Sequence, residues 1–155
     1  MKLAPLTLAF ILIYFELMIT MESTKTRPQG DLVLRTLALP ADTNANGDIF
    51  GGWLMSQMDI GGAILAKEIA HGRVVTVHVD GMNFLRPVSV GDVVCCYAHC
   101  IKLGRTSVSI DLEVWVKKAD SNQRHKATEG VFVYVAVTPD GRPRPIDIHA
   151  INAPA

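Results

Sequence analysis

The sequence predicts an α+β fold: an antiparallel sheet curved around one long central helix. Three observations carry this expectation. A single long apolar stretch of helical character lies within Asn44 to Lys67, preceded by one strand-like segment. Four segments of strand length follow it, joined by short connections, which imply antiparallel neighbours. No short βαβ repeat and no GxGxxG motif is present, so a dinucleotide-binding fold is not expected.

The chain of 155 residues suits one domain, whose core needs no disulfide or metal to be stable. Hydrophobic residues make up 49% and charged residues 19%, which excludes a disordered chain. Basic and acidic residues balance at 15 each, so nothing points to a general nucleic-acid binder. The three cysteines, Cys95, Cys96 and Cys100, are odd in number, clustered and without CxxC spacing. They read as small apolar strand residues in a reducing compartment, with Cys96 and Cys100 sharing a face that Cys95 does not.

Residues 1–20 form an apolar N-terminal extension, in which one Lys precedes the run Leu8 to Phe15 and Glu16 interrupts it. The segment has three readings: a mis-assigned upstream start before Met21, a signal or anchor segment, or an additional helix. It lacks a small-x-small cleavage site, and the apolar run is well short of the roughly 20 residues of a membrane span. The mis-assigned start is the favoured reading, and with it a cytoplasmic protein without a stable membrane span. Residues 21–29 are a polar segment, 30–138 the folded domain, and 139–155 a Pro-rich irregular tail.

Within the domain, Leu32 to Leu39 is the first strand, ended by Pro40, which has no N–H for a ladder. Pro40 to Gly47 is dense in turn formers. The helix begins between Phe50 and Trp53 and runs to about Ala70, where His71-Gly72 stops it, with Gly as the terminating residue and His71 as a cation suited to the dipole. Val74 to Phe84 is the next strand, ended by Arg86-Pro87. Asp92 to Lys102 follows, then the turn Leu103-Gly104-Arg105. Thr106 to Val116 alternates, with Val108, Ile110, Leu112, Val114 and Val116 on one face; Ser109, Asp111, Glu113 and Lys117 take the solvent face, Trp115 being the exception. Lys118 to His125 is a polar hairpin loop. Lys126 to Thr138 contains VFVYVAV, which fits a central strand covered on both sides. A sheet wrapped around one helix in this order is the hotdog architecture. A lone copy leaves one side of the helix and an edge strand open, so pairing into a double-hotdog dimer with a continuous sheet is expected.

Asp59 is the only charged residue between Asp48 and Lys67. An ionised carboxylate on an apolar helix is costly to bury unless something uses or satisfies it. It reads as a catalytic carboxylate; the structural alternative is a carboxylate bonded to a neighbouring backbone group or hydroxyl. Gly61-Gly62 costs roughly 1 kcal/mol per Gly relative to Ala inside a helix, which signals close approach of another element or a ligand. Gly51 and Gly52 stand at the helix start, where free N–H groups and the positive dipole end make an oxyanion hole available.

The segments NANGDIFGGWLMSQMD, GGAILAKEIAHGRVVTV, MNFLRPVSVGDVV and VWVKK closely resemble the YciA-type acyl-CoA thioesterases, over about Gly30 to Thr138. The resemblance implies hydrolysis of acyl-CoA to free acid and CoA within fatty acid metabolism, with broad acyl specificity and no metal or redox cofactor. It implies Asp59 as the catalytic carboxylate, acting as general base or nucleophile, and Asn44 as a second active-site residue. The Gly51 and Gly52 amides polarise the thioester carbonyl. It also implies dimers assembling into a homohexamer, a trimer of dimers. Gly51, Gly52 and Asp59 are expected from one subunit, with Asn44 completing the neighbour's site. The CoA moiety is expected against Asn83 and Phe84, with its phosphates met by Arg86, Arg105, Thr106, Ser107, Lys117 and Lys118. His78 departs from the family pattern and is read as a solvent-facing variant.

Two other functions were weighed. A hotdog hydratase or dehydratase needs a His paired with a carboxylate, and no histidine lies in the helix or the turn before it. A non-catalytic acyl-CoA-binding protein acting as a sensor needs a second domain, for which the chain has no room.

Overall fold

The computed structural model describes residues 27–147. The extension 1–20, most of 21–29 and the end of the tail lie outside the described residues.

Five strands and one long helix follow in the expected order: β1 (Asp31–Leu37), a 3-10 turn (Pro40–Asp42), α1 (Gly51–Ala70), β2 (Val74–Phe84), β3 (Val93–Leu103), β4 (Ser107–Lys117) and β5 (Arg124–Ala136). The strands form one sheet in the order β1-β3-β4-β5-β2, every neighbouring pair antiparallel. The crossover from β1 through α1 to β2 carries the chain from one edge of the sheet to the other. β1 and β2 are therefore both edge strands, and α1 packs across the concave face between them.

The alternation of β4 builds the floor of the core: Val108, Ile110, Leu112, Val114 and Val116 are all fully buried on the face toward α1. The central strand is β4. β5 lies between β4 and the edge and alternates, with Phe132, Tyr134 and Ala136 buried and Val131, Val133 and Val135 half-buried. The apolar run VFVYVAV therefore reflects β-branched filling of a partly covered outer face, not a central position covered on both sides.

From above, α1 presses Leu54, Met58, Gly61, Gly62, Ala66 and Ala70 onto this floor. The two interior glycines serve different neighbours. A Cβ on Gly61 would stand 2.9 Å from Val33 Cγ2 and 3.1 Å from Cys96 Sγ. A Cβ on Gly62 would stand 2.3 Å from the Tyr134 hydroxyl and 2.9 Å from Leu112 Cδ1. Close approach of strands to the helix backbone explains both.

The end of α1 is built differently from the expectation. His71, not Gly72, takes the left-handed conformation (φ 46°), and its N–H donates to the Glu68 carbonyl. Gly72 takes a φ of 153°, a backbone conformation that L side chains rarely adopt. The cation at the dipole's negative end is Arg144, whose Nη2 donates to the Ala70 carbonyl at 2.7 Å. The tail through residue 147 is accordingly part of the fold: Val137 bridges Pro143, and the N–H of buried Ile146 donates to the Arg105 carbonyl at 2.8 Å.

The outer face of the sheet also differs. Glu113, expected to face solvent, is buried; it accepts from Trp115 Nε1 at 2.8 Å and from the Gln29 N–H at 3.3 Å, with Lys126 Nζ 3.8 Å away. The segment before β1 reaches this face and closes it from water. A carboxylate so enclosed needs these donors, because leaving any charge buried and unpaired is expensive.

Cys95 and Cys96 are buried and Cys100 is exposed, all as free thiols. Burial, then the neighbouring Cys95, pushes the Cys96 thiol up to about 12, so it fills space beneath Gly61 as an inert side chain. Among the described residues no helix is long and apolar enough to cross a membrane.

Candidate active site

The loop before α1 folds on itself. Thr43 bridges Ile49, and the Asn44 N–H donates to the Asp48 carbonyl at 2.7 Å. Asn44 Oδ1 accepts from the N–H groups of Asn46 (2.9 Å) and Asp48 (3.2 Å), and Gly47 takes a positive φ of 85° to close the turn. This is an Asx turn, and it fixes the Asn44 side chain by its oxygen. Its amide nitrogen, Nδ2, donates to no acceptor among the described residues. The Phe50 N–H donates to the Asp42 carbonyl at 3.0 Å, which ties this loop to the start of α1.

At that start Phe50 is the N-cap, and no side chain caps the helix. The N–H groups of Trp53 and Leu54 turn back to the Phe50 carbonyl. Those of Gly51 and Gly52 are the unfilled donors at the positive end of the dipole, and no acidic residue occupies the first turn. Gly52 is exposed, and a Cβ there would meet nothing within 4 Å. A cleft of about 290 Å³ opens beside it, lined by Asp48, Gly51, Leu54, Phe84 and Arg86 among others. The Phe84 ring packs against Gly51, where a Cβ would stand 3.0 Å from Cε1.

Asp59 lies two helical turns further along, half-buried, and points at β2 rather than into that cleft. Its Oδ1 accepts from Thr76 Oγ1 at 2.6 Å. The Tyr134 hydroxyl reaches up from β5, 3.0 Å from the Asp59 main-chain oxygen and 3.4 Å from Oδ1. Burial first, and the Asp59 charge second, raise the Tyr134 pKa far above its ordinary value, so the phenol stays protonated. Neither Thr76 nor Tyr134 was singled out from the sequence. Tyr134 stood inside an apolar run, and only the proximity of Gly62 hinted that something must reach the helix there.

The residues expected in one site thus fall into two groups. Gly52 and Asp59 are seven positions apart, about 10 Å along a helix axis. Asn44 belongs with Gly51 and Gly52 through the loop, and Asp59 stands apart from all three. Within one chain the Asn44 loop is tied to the helix start through the Phe50 N–H and the Asp42 carbonyl.

The residues expected against CoA divide in the same way. Phe84 and Arg86 line the cleft; Asn83 is exposed on β2, with its carbonyl accepting from Thr128 Oγ1 at 2.6 Å. Lys117 is at the same end of the sheet. Arg105, Thr106 and Ser107 lie at the opposite end of β4, about 33 Å away for an eleven-residue strand. Arg105 and Thr106 also give their carbonyls to Ile146 and Ala136. Lys118 is engaged within the fold: its Nζ is bound to Asp92 Oδ2 at 2.8 Å and to Ser89 Oγ at 3.2 Å. Burial alone would raise the Asp92 carboxyl. Lys118 and the amides of Ser89 and Ala119 outweigh that and hold it below the usual range.

The comparisons with known proteins agree on one family. The family model described as the thioesterase superfamily matches residues 46–121. The acyl-CoA thioester hydrolase YciA of Salmonella typhimurium is 75% identical over 134 residues, covering 84% of this chain and 98% of that protein. A hexameric broad-specificity acyl-coenzyme A thioesterase, crystallised with an aspartate replaced by alanine, is 62% identical with a TM-score of 0.78, covering 80% of this chain and 91% of that one. The acyl-CoA hydrolase of Staphylococcus aureus, solved with coenzyme A as an Asn-to-Ala variant, is 27% identical with a TM-score of 0.69, covering 73% and 68%. The same hydrolase was also solved as an Asp-to-Ala variant, the aspartate fifteen positions after that asparagine.

Proposed function

The chain belongs to the thioesterase superfamily, among the YciA-type acyl-CoA thioester hydrolases, and from that membership we propose that it cleaves acyl-CoA to a free carboxylic acid and CoA. The observation that carries the reading is the pairing of two incomplete half-sites on α1. One is an uncapped helix start at Gly51 and Gly52, beside a cleft that Gly51 lines. The other is the half-buried Asp59 carboxylate facing an open sheet edge. The relatives with which it shares this fold act on acyl-CoA and form hexamers.

Two-fold pairing through the β2 edge brings the half-sites together. An antiparallel partner strand places the start of one β2 beside the end of the other. Thr76 and Asp59 of one protomer then face Phe84, the cleft and the helix start of the second. The same reversal brings Arg105, Thr106 and Ser107 of the first protomer to the end where the second has Arg86 and Lys117, so that CoA lies in a groove shared by both. In this arrangement a hexamer is a trimer of such dimers.

The chemistry follows from the charges that develop. The thioester oxygen enters the Gly51–Gly52 amides, which await the negative charge of the tetrahedral species. Asp59 of the partner subunit takes a proton from water as general base, or attacks the carbonyl to form a mixed anhydride. Asn44, fixed by Oδ1, offers Nδ2 to the water or the carbonyl. Its distance from Asp59 in sequence, fifteen positions, is that between the two residues replaced in the Staphylococcus relative. The thiolate leaves without a strong general acid, and the reaction draws on no metal or redox group.

The test is release of CoA thiol from a panel of acyl-CoAs by wild type and Asp59→Ala. The expected result is turnover by wild type and a loss of roughly 1,000-fold or more in kcat for the variant, with the oligomer intact by size exclusion. Undiminished turnover in Asp59→Ala would remove the carboxylate from the mechanism.

A further inference from the structure

The Asp59 carboxylate is held by one of its two oxygens. Thr76 Oγ1 donates to Oδ1 at 2.6 Å, and the Tyr134 hydroxyl lies 3.4 Å from the same atom while bonding the Asp59 main-chain oxygen at 3.0 Å. Among the described residues, Oδ2 accepts no hydrogen bond. The two hydroxyls arrive on different strands, β2 and β5, which are paired at this point: Thr76 stands opposite Tyr134 in the register. The helix makes room for the second of them at Gly62, where a Cβ would overlap the phenol oxygen at 2.3 Å. One of the two interior glycines of α1 is thereby explained as the opening through which Tyr134 reaches Asp59.

A buried phenol that merely satisfied itself would need only the main-chain carbonyl. A threonine on an exposed edge strand has water to bond. Their convergence on one residue, and on Oδ1 in particular, fixes the χ angles of Asp59 and distinguishes its oxygens. A carboxylate free to rotate would present either oxygen to substrate at many angles, and positioning errors of that kind cost rate rather than binding.

We propose that Thr76 and Tyr134 are positioning residues that anchor Asp59 through Oδ1 and its main chain and leave Oδ2 as the reacting oxygen. This rests on Asp59 being the carboxylate of the hydrolysis. Oδ2 either takes the proton of the attacking water or forms the new bond to the acyl carbon, and the anchoring serves both courses. Thr76 and Tyr134 act through Asp59.

Steady-state kinetics on the full-length assembled enzyme test this with Thr76→Val, Thr76→Ser and Tyr134→Phe. Each of Thr76→Val and Tyr134→Phe is expected to lower kcat roughly 10- to 100-fold with KM within about twofold of wild type. Thr76→Ser, which keeps the hydroxyl, is expected to retain most of kcat. A solely structural role would not give this split or this rescue. Wild-type kcat in Thr76→Val, equal losses in Thr76→Ser and Thr76→Val, or a loss confined to KM would each overturn the proposal. Should Tyr134→Phe fail to assemble, the Thr76 pair decides alone, with size exclusion showing that Thr76→Val and Thr76→Ser form the same oligomer before their kcat values are compared. If Asp59→Ala is inactive while Thr76→Val is normal, the positioning fails and the function stands; if Asp59→Ala is active, the function reading fails first.

Discussion

Gly62 shows how much one missing side chain can decide. Its cost within a helix is about 1 kcal/mol relative to Ala, yet the phenol of Tyr134 occupies the space a Cβ would take. Alanine at this position improves the helix propensity and still forces Tyr134 or Leu112 to move. We expect Gly62→Ala to destabilise the protein by about 1–3 kcal/mol, the range for overpacking a filled core, measured as a lower midpoint in urea. A stabilised variant would mean that the phenol can withdraw without loss. The glycine pair was visible in the sequence as a cost without a beneficiary. What it served was not visible, because the beneficiary lies 72 positions downstream, at Tyr134, and only the pairing of β2 with β5 brings it under the helix. Asp59 was legible for the opposite reason: a single charge in an apolar helix is anomalous whatever the partner.

At the scale of elements, the loops that frame the helix start depend on ion pairing that sequence patterning cannot reveal. Asp92, at the entry to β3, accepts from the Ser89 and Ala119 amides and from Lys118, and so ties the Pro87–Gly91 turn to the loop after β4. The same turn carries Val88, whose carbonyl accepts from Ile49 in the loop before α1. The strands themselves were legible almost to the residue, since alternation and breakers are local. The pairing of Lys118 with Asp92 is not legible in the sequence, because a lysine's partner depends on which loops meet. The folded state holds the Asp92 pKa below its unfolded value, so the unfolded state binds more protons as pH falls. Its contribution is present above the unfolded pKa and is lost as pH drops through the folded one. Asp92→Asn is therefore expected to lower stability by about 1–3 kcal/mol at pH 7 and to flatten the acid limb of stability against pH, measured by urea unfolding between pH 7 and pH 3. An unchanged acid limb would assign acid sensitivity to other carboxylates.

For the whole molecule, the decisive fact is where apolar surface remains uncovered. On α1, Ile60 is 50% exposed and Ile64 40%; on β2 the bulge residue Val77 is 55% exposed. Ile60 and Ile64 stand one turn apart on an exposed stripe of α1. A helix face of this kind beside an unpaired edge strand is a template for another copy. The fold of one chain was readable from its pattern of elements. The two-fold arrangement proposed for the site draws on the Asn44 loop together with the separation of about 10 Å along α1, which local patterning does not display. Activity should then follow assembly. Ile64→Lys puts a charge into the apolar seam without touching Asp59, Gly52 or the loop. The expected outcome is a smaller species by size exclusion and light scattering, unchanged helical and strand content by circular dichroism, and a loss of roughly 100-fold or more in kcat/KM per chain. Raising the protein concentration should restore part of the activity by mass action as chains re-pair. A folded monomer of Ile64→Lys with full turnover would place both half-sites within one chain, and the two-fold arrangement would have to be abandoned.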